Sequence, residues 1–229
     1  MPAFKKGEKV WSPVPIENNW EVVNYSVCEV KEIVGYNVLL KNGNTEFQVP
    51  GAILDKVKKP KKKLKQGDVV LVNLGMSSEW GKLEKVKKDS LVVVFLWANE
   101  VERKIVKPEM VKILPDKKAV PGAPLIYKKN NKWKFGQLIY SIEGKTCLIG
   151  FAGKLEFIAN HNTHYQKYSR KFSVKKRVWI PWLNYLEEGK VLKILPEGVG
   201  YEVLYFNHPR AKFRNPRKLS FARVVKPLG

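Results

Sequence analysis

Twelve lysines and arginines carry the clearest chemical signal of this 229-residue chain: Lys61, Lys62, Lys63, Lys65, Lys175, Lys176, Arg177, Arg210, Lys212, Arg214, Arg217 and Lys218. Cations at such density neutralise phosphate, so these tracts are the expected nucleic-acid-binding residues. Four rings stand among the later tracts. Trp182 and Tyr185 follow Lys175-Lys176-Arg177, and Tyr205 and Phe206 precede the run from Arg210 to Lys218. Rings interleaved with cations suit a single-stranded nucleic acid, with bases on the ring faces and phosphates on the charges. Core packing and surface cover are the plainer reading of the same four rings. The segment 56–65 holds seven lysines in ten residues and reads either as a solvated linker or as a phosphate-contacting strap.

The residue types that catalyse are sparse. His161 and His164 share one loop at a spacing that could place two imidazoles on one metal, but zinc wants two further ligands and no cysteine or acid cluster is near. No serine or cysteine sits in a nucleophile-elbow context, and no glycine-rich phosphate loop is present. Between residues 119 and 171 the only acids are Glu143 and Glu156, too few for paired-carboxylate chemistry. The expectation is a protein that is not an enzyme and uses neither metal nor cofactor.

The charge is large and uneven. The chain has 43 Lys and Arg against 21 Asp and Glu, a formal net of +22. Residues 1–60 carry a net of +1, 61–118 of +6, 119–171 of +7 and 172–229 of +8. A fold that manages without excess charge in its first quarter has another use for it later, and an extended polyanion, DNA or RNA, is the expected partner. Cys28 and Cys147 each lie inside an apolar run and read as free thiols of an intracellular, reducing compartment. No stretch resembles a signal peptide or a membrane span, so no membrane partner is expected.

These residues need elements to hold them, and the elements repeat. Leu64-Lys65-Gln66-Gly67-Asp68-Val69-Val70-Leu71-Val72 is a basic turn running into an apolar strand. Similar openings lead into Val10, Leu125 and Val178, at steps of 60, 55 and 53 residues. The spacing predicts four copies of a small all-β module with about five strands and a single helical turn before the last: residues 1–60, 61–118, 119–171 and 172–229. Units this small are near the limit for a lone core, so they should pack on one another. Within each, curling into a small barrel hides the sheet edges.

Gly67-Asp68-Val69-Val70, Gly81-Lys82-Leu83-Glu84-Lys85-Val86, Leu91-Val92-Val93-Val94-Phe95 and Pro108-Glu109-Met110-Val111-Lys112-Ile113 together resemble the Tudor and agenet group of SH3-like barrels. The resemblance covers the chain four times over. It implies four tandem SH3-like (Tudor-like) five-stranded barrels, and an aromatic cage for methylated lysine or arginine in some copies. Only the fourth copy has rings at both cage positions, Trp182 and Tyr185 after its first strand and Tyr205 and Phe206 at the end of its third, with His208 where a second ring is usual. The leading expectation is a non-catalytic nucleic-acid-binding protein. The alternative is a protein-interaction scaffold reading acidic or methylated peptides, and the plainest is a structural protein whose charge aids solubility.

Overall fold

β-branched and aromatic residues alternate with charged ones along most of the chain, and the backbone answers with nineteen strands and no α-helix among the described residues. The structure is a computed structural model that describes residues 4–57, 64–115, 119–165, 171–206 and 215–228. The first sheet comprises β1 (Lys9–Ile16), β2 (Asn19–Val34), β3 (Asn37–Asn42), β4 (Thr45–Pro50) and β5 (Asp55–Lys56). The second comprises β6 (Val69–Asn73), β7 (Ser78–Val86), β8 (Leu91–Trp97), β9 (Glu100–Val106) and β10 (Val111–Ile113). The third is β11 (Pro124–Lys129), β12 (Lys132–Ile142), β13 (Lys145–Ile149), β14 (Leu155–Ala159) and β15 (Thr163–His164). The fourth is β16 (Arg177–Trp182), β17 (Tyr185–Ile194), β18 (Gly200–Tyr205) and β19 (Arg217–Ser220).

Every sheet is an antiparallel meander. In the first three the last short strand returns to pair with the first, giving orders such as β4-β3-β2-β1-β5. In the fourth the return is a single bridge between Trp179 and Val225. A 3-10 turn precedes each return: Gly51–Ile53, Pro108–Met110, Asn160–Asn162 and Phe221–Arg223. The third of these, with β15, carries His161 and His164, which the sequence placed together on a loop. Two-residue hairpins at Glu17-Asn18, Ala98-Asn99 and Asn130-Asn131 have both residues at positive φ, the geometry that asparagine tolerates best.

The repeat is visible in the register. The second strand of each sheet is irregular at one place, around Lys31, Glu84, Ile139 and Leu192. Such a bulge bends the strand so that it serves both halves of a curled sheet. Val10, Val70, Leu125 and Val178, the four repeat anchors, are all at most 2% exposed and face Cys28, Gly81, Gly136 and Gly189 across the first hairpin. A Cβ on Gly81, Gly136 or Gly189 would meet other atoms at 2.4–2.9 Å, so the position needs a small residue, and the first unit uses cysteine there. Burial pushes the Cys28 and Cys147 thiols up to about 12, which keeps both protonated.

Strands buried on both faces serve two cores. Val10 and Val14 of β1, and Val70 and Val72 of β6, point into clusters private to their own sheets. The alternate residues Trp11, Val69 and Leu71 point the other way, into one cluster that also takes Ile139 and Cys147 from the third sheet and Val178, Ile180 and Val203 from the fourth. The four sheets form a ring around it. Neighbours in the ring are not always neighbours in sequence. β2 packs on β7, β8 on β19, β17 on β12, and β14 on β2, so the circuit runs first, second, fourth, third. The polar seams follow suit. Ser26 Oγ donates to Asn73 Oδ1 at 2.7 Å and Lys112 pairs with Asp55 at 2.6 Å between the first two sheets, while Arg103 pairs with Glu197 at 2.6 Å between the second and fourth. Val94, Leu195 and Val199 close that last seam with apolar contact. Among the described residues no helix is long and apolar enough to cross a membrane.

Three sheets meet at Gly122, which has φ +90° and accepts a hydrogen bond from Trp80 Nε1 at 3.0 Å. A Cβ there would lie 2.7 Å from Leu71 Cδ2 and 3.3 Å from the Tyr25 ring. Gly122→Ala should therefore lose about 2–4 kcal/mol in urea unfolding, from left-handed strain plus overpacking. Because the core is shared, the loss should appear in one transition for all four sheets rather than in one of several.

Candidate nucleic-acid interface

Where the four sheets meet, the side chains leave a cavity of about 920 Å³. Each sheet supplies part of the wall through residues of its first hairpin or the strand ends beside it, including Val23 and Tyr25, Glu79 and Trp80, Phe135 and Gln137, and Trp182 and Tyr205. Its size is at the upper end of the ~300–1,000 Å³ common for ligand sites.

Rings and arginines alternate on the wall. Trp80 and Phe135 meet edge to face with centroids 5.7 Å apart, and the Arg223 guanidinium lies 5.8 Å from the first ring and 5.9 Å from the second. Trp182 and Tyr205 make a second such pair at 5.2 Å, with the Arg217 guanidinium 4.7 Å over Trp182. The Tyr205 hydroxyl donates to the Pro181 carbonyl at 2.7 Å, and burial pushes its phenol up to about 12, so it stays neutral. Tyr185 has Lys132 Nζ 5.0 Å above its ring. Met76, Trp97, Phe151 and Leu183 are the exposed apolar residues of the wall. Leu183 is held at φ 47°, a conformation leucine rarely adopts, and is 60% exposed. An arginine flat on a ring is held by cation–π attraction while its in-plane N–H groups remain available to a phosphate.

The expected contact residues divide. Lys61, Lys62, Lys63, Arg210, Lys212 and Arg214 lie outside the described residues. Lys65 is exposed on the turn before β6, and its backbone N–H donates to Asp68 Oδ2 at 3.0 Å. Lys175, Lys176 and Arg177 are exposed at the start of the fourth sheet, and Arg177 lies 5.6 Å over Phe206. Arg217 and Lys218 are successive residues of β19 and so face opposite ways; only Arg217 lines the cavity. Trp182, Tyr185 and Tyr205 line it and Phe206 does not. His161 lies on the 3-10 turn and His164 on β15, and no group of three or more His, Cys, Asp or Glu suited to a metal occurs among the described residues.

Sequence reasoning missed Trp80, Phe135, Arg223 and Glu79. A signal for two of them existed. Trp80-Gly81 and Phe135-Gly136 occupy the same place in their repeats, one residue before the small position, so each must face away from its own core.

Glu79 is half-buried and is the one carboxylate on the cavity wall among the described residues. Desolvation raises its pKa, opposed by the nearby charge of Arg223 and by a hydrogen bond from the Trp80 backbone N–H. A carboxyl whose pKa is higher folded than unfolded binds its proton more tightly in the native state. Its charge therefore opposes folding above the unfolded pKa, and the opposition fades as pH falls through the raised value.

No protein-family model matches the chain, and no curated protein matches it significantly. The geometry of the cavity stands as the functional information. Glu79→Gln should raise Tm at pH 7, and the gap between variant and parent should narrow as pH drops through the carboxylate range; a lowered Tm at pH 7 would mean that the charge is well solvated or well paired.

Proposed function

We propose that this is a non-catalytic nucleic-acid-binding protein that holds an unpaired strand, DNA or RNA, on a basic surface and takes its bases into the central cavity. The observation that carries the reading is the pair of arginines lying on aromatic rings inside the cavity of a protein with a net charge of +22. Guanidinium groups lying over rings offer phosphate donors, and their outer planes, with the half-buried rings of Phe135, Trp182 and Tyr185, offer base-stacking platforms, each worth about 1–3 kcal/mol per base. Ion pairs such as Asp55 with Lys112 and Glu197 with Arg103 consume one cation per acid, so the excess of 22 positive charges remains for a polyanion.

The same arginines weigh against a peptide reader. A methylated lysine or arginine needs an open ring face, and Trp182 already carries Arg217 while Trp80 and Phe135 share Arg223. A second cation would have to displace the first and be repelled by it. The strand order, with its 3-10 turn and return strand, supports SH3-like modules as the Tudor resemblance implies. The function rests on the cavity rather than on that likeness.

Fluorescence anisotropy of labelled single strands and duplexes at several salt concentrations tests the proposal. Single strands should bind at micromolar or tighter dissociation constants, with log affinity falling linearly against log salt by about 0.7 per phosphate engaged. Duplexes should bind at least roughly tenfold more weakly, since their bases cannot reach the rings. Replacing both Arg217 and Arg223 by alanine should weaken binding about tenfold or more and flatten the slope by about 1–2 contacts' worth. Charge reversal at Arg214, Arg217 and Lys218 should also weaken it. No binding at low salt, or equal affinity for duplex, would sink the reading.

A further inference from the structure

One feature of the cavity runs against its charge. A site lined by Arg217 and Arg223 and suited to an anion nevertheless has a carboxylate on its wall, Glu79, next to Trp80 and within reach of the Arg223 charge. Desolvation outweighs the attraction of Arg223 and the Trp80 N–H bond and works against the charged form, and a negative charge on the wall repels a phosphate. A carboxylate under both penalties is explained if it meets a hydrogen-bond donor on the ligand.

We infer that Glu79 reads an unpaired guanine, with both carboxylate oxygens accepting hydrogen bonds from the base's N1–H and N2 amino group while the ring stacks in the aromatic cavity. This rests on the single-strand reading above. The choice of base follows from acceptor and donor patterns. A carboxylate only accepts, and its two oxygens lie side by side. Guanine alone among the common bases presents two adjacent donors on its pairing edge. Adenine and cytosine each set one amino donor beside an unprotonated ring nitrogen, and uracil and thymine set one N–H between two carbonyls. Each of these brings an acceptor lone pair against a carboxylate oxygen. Glu79 thus rejects three bases by repulsion as well as favouring the fourth by attraction.

The test uses the full chain and short labelled oligouridines carrying one central test base. Replacing guanine by adenine, cytosine or uracil should weaken binding about tenfold to a hundredfold, the discrimination of a good bidentate pair. Inosine, which lacks the N2 amino group, should fall between, and 7-deazaguanine, altered only on the far edge, should bind as guanine does. Glu79→Gln, nearly isosteric and checked for folding by circular dichroism, should cut the preference to less than about threefold without weakening the adenine strand or changing its salt slope. Equal binding of all strands with a full salt slope would overturn the guanine inference and leave the single-strand reading standing. No binding of any strand would overturn both. Free guanosine monophosphate should compete at least roughly a hundredfold more weakly than the guanine strand, because it lacks the flanking phosphates; equal competition would show that the ligand is the free nucleotide and not a strand.

Discussion

The structure depends on one shared apolar centre. β1 and β6 are buried on both faces: Val10, Val14, Val70 and Val72 belong to their own sheets, while Trp11, Val69 and Leu71 are held in common. The fourth sheet contributes Val178, Ile180, Val191 and Val203 to the common cluster, so its burial relies on the other three. Units of about fifty residues seldom hold themselves together on private cores alone. Sharing one core removes that difficulty and fixes the units relative to one another. Rigid placement is also what a site drawn from four sheets requires, because Trp80, Phe135 and Arg223, on three different sheets, would not keep their 5.7–5.9 Å contacts on freely moving modules.

Electrostatics divides along the same lines. Several charged groups are matched across the seams between sheets. Asp55 meets Lys112, Glu197 meets Arg103, and the half-buried Lys82 ammonium donates to the Gly198 carbonyl and lies 4.8 Å from the Phe221 ring centroid. These contacts tie the second sheet to the first and fourth and help set the ring order. Elsewhere the surplus positive charge is left facing water. A net charge this far from zero works against the compact state, and the common core must outweigh it. The first sheet, nearly neutral by sequence, contributes chiefly to the core and to the cavity wall through Val23 and Tyr25.

Much of this was legible in the residues. Val69-Val70-Leu71-Val72 is a continuous apolar run where a half-buried strand would alternate, the mark of a strand covered on both faces. The repeat anchors Val10, Val70, Leu125 and Val178 fell on equivalent buried positions because a strand opening is a local event, set by a turn with one residue at positive φ (Gly7, Gly67, Gly122 and Lys175) and the residues after it. Trp182, Tyr185, Tyr205 and Arg217 could be picked out because they sit close together in sequence. Trp80, Phe135 and Arg223 could not, since what joins them is a contact between second, third and fourth sheets that no local pattern encodes. The ring order was hidden for the same reason. Seams such as Arg103 with Glu197 span 94 residues, and nothing in either neighbourhood names the other. Glu79 was invisible for a different reason: a glutamate in an amphipathic strand looks like a solvent-facing residue until the cavity around it is known.

Photocrosslinking tests the central claim most directly. A single strand with 5-iodouracil or 5-iodocytosine on either side of a central guanine is irradiated in complex with the protein, and the modified residues are mapped by mass spectrometry. Stacked halogenated bases couple efficiently to the aromatic side chains they touch, so the account predicts adducts at Phe135, Trp182 and Tyr185, the half-buried rings of the wall, reduced when the strand is competed away by an unlabelled one. Adducts confined to outward-facing aromatics such as Tyr36 or Phe157, with the cavity rings unmodified at saturating strand, would show that nucleic acid rides on the basic surface without entering the ring.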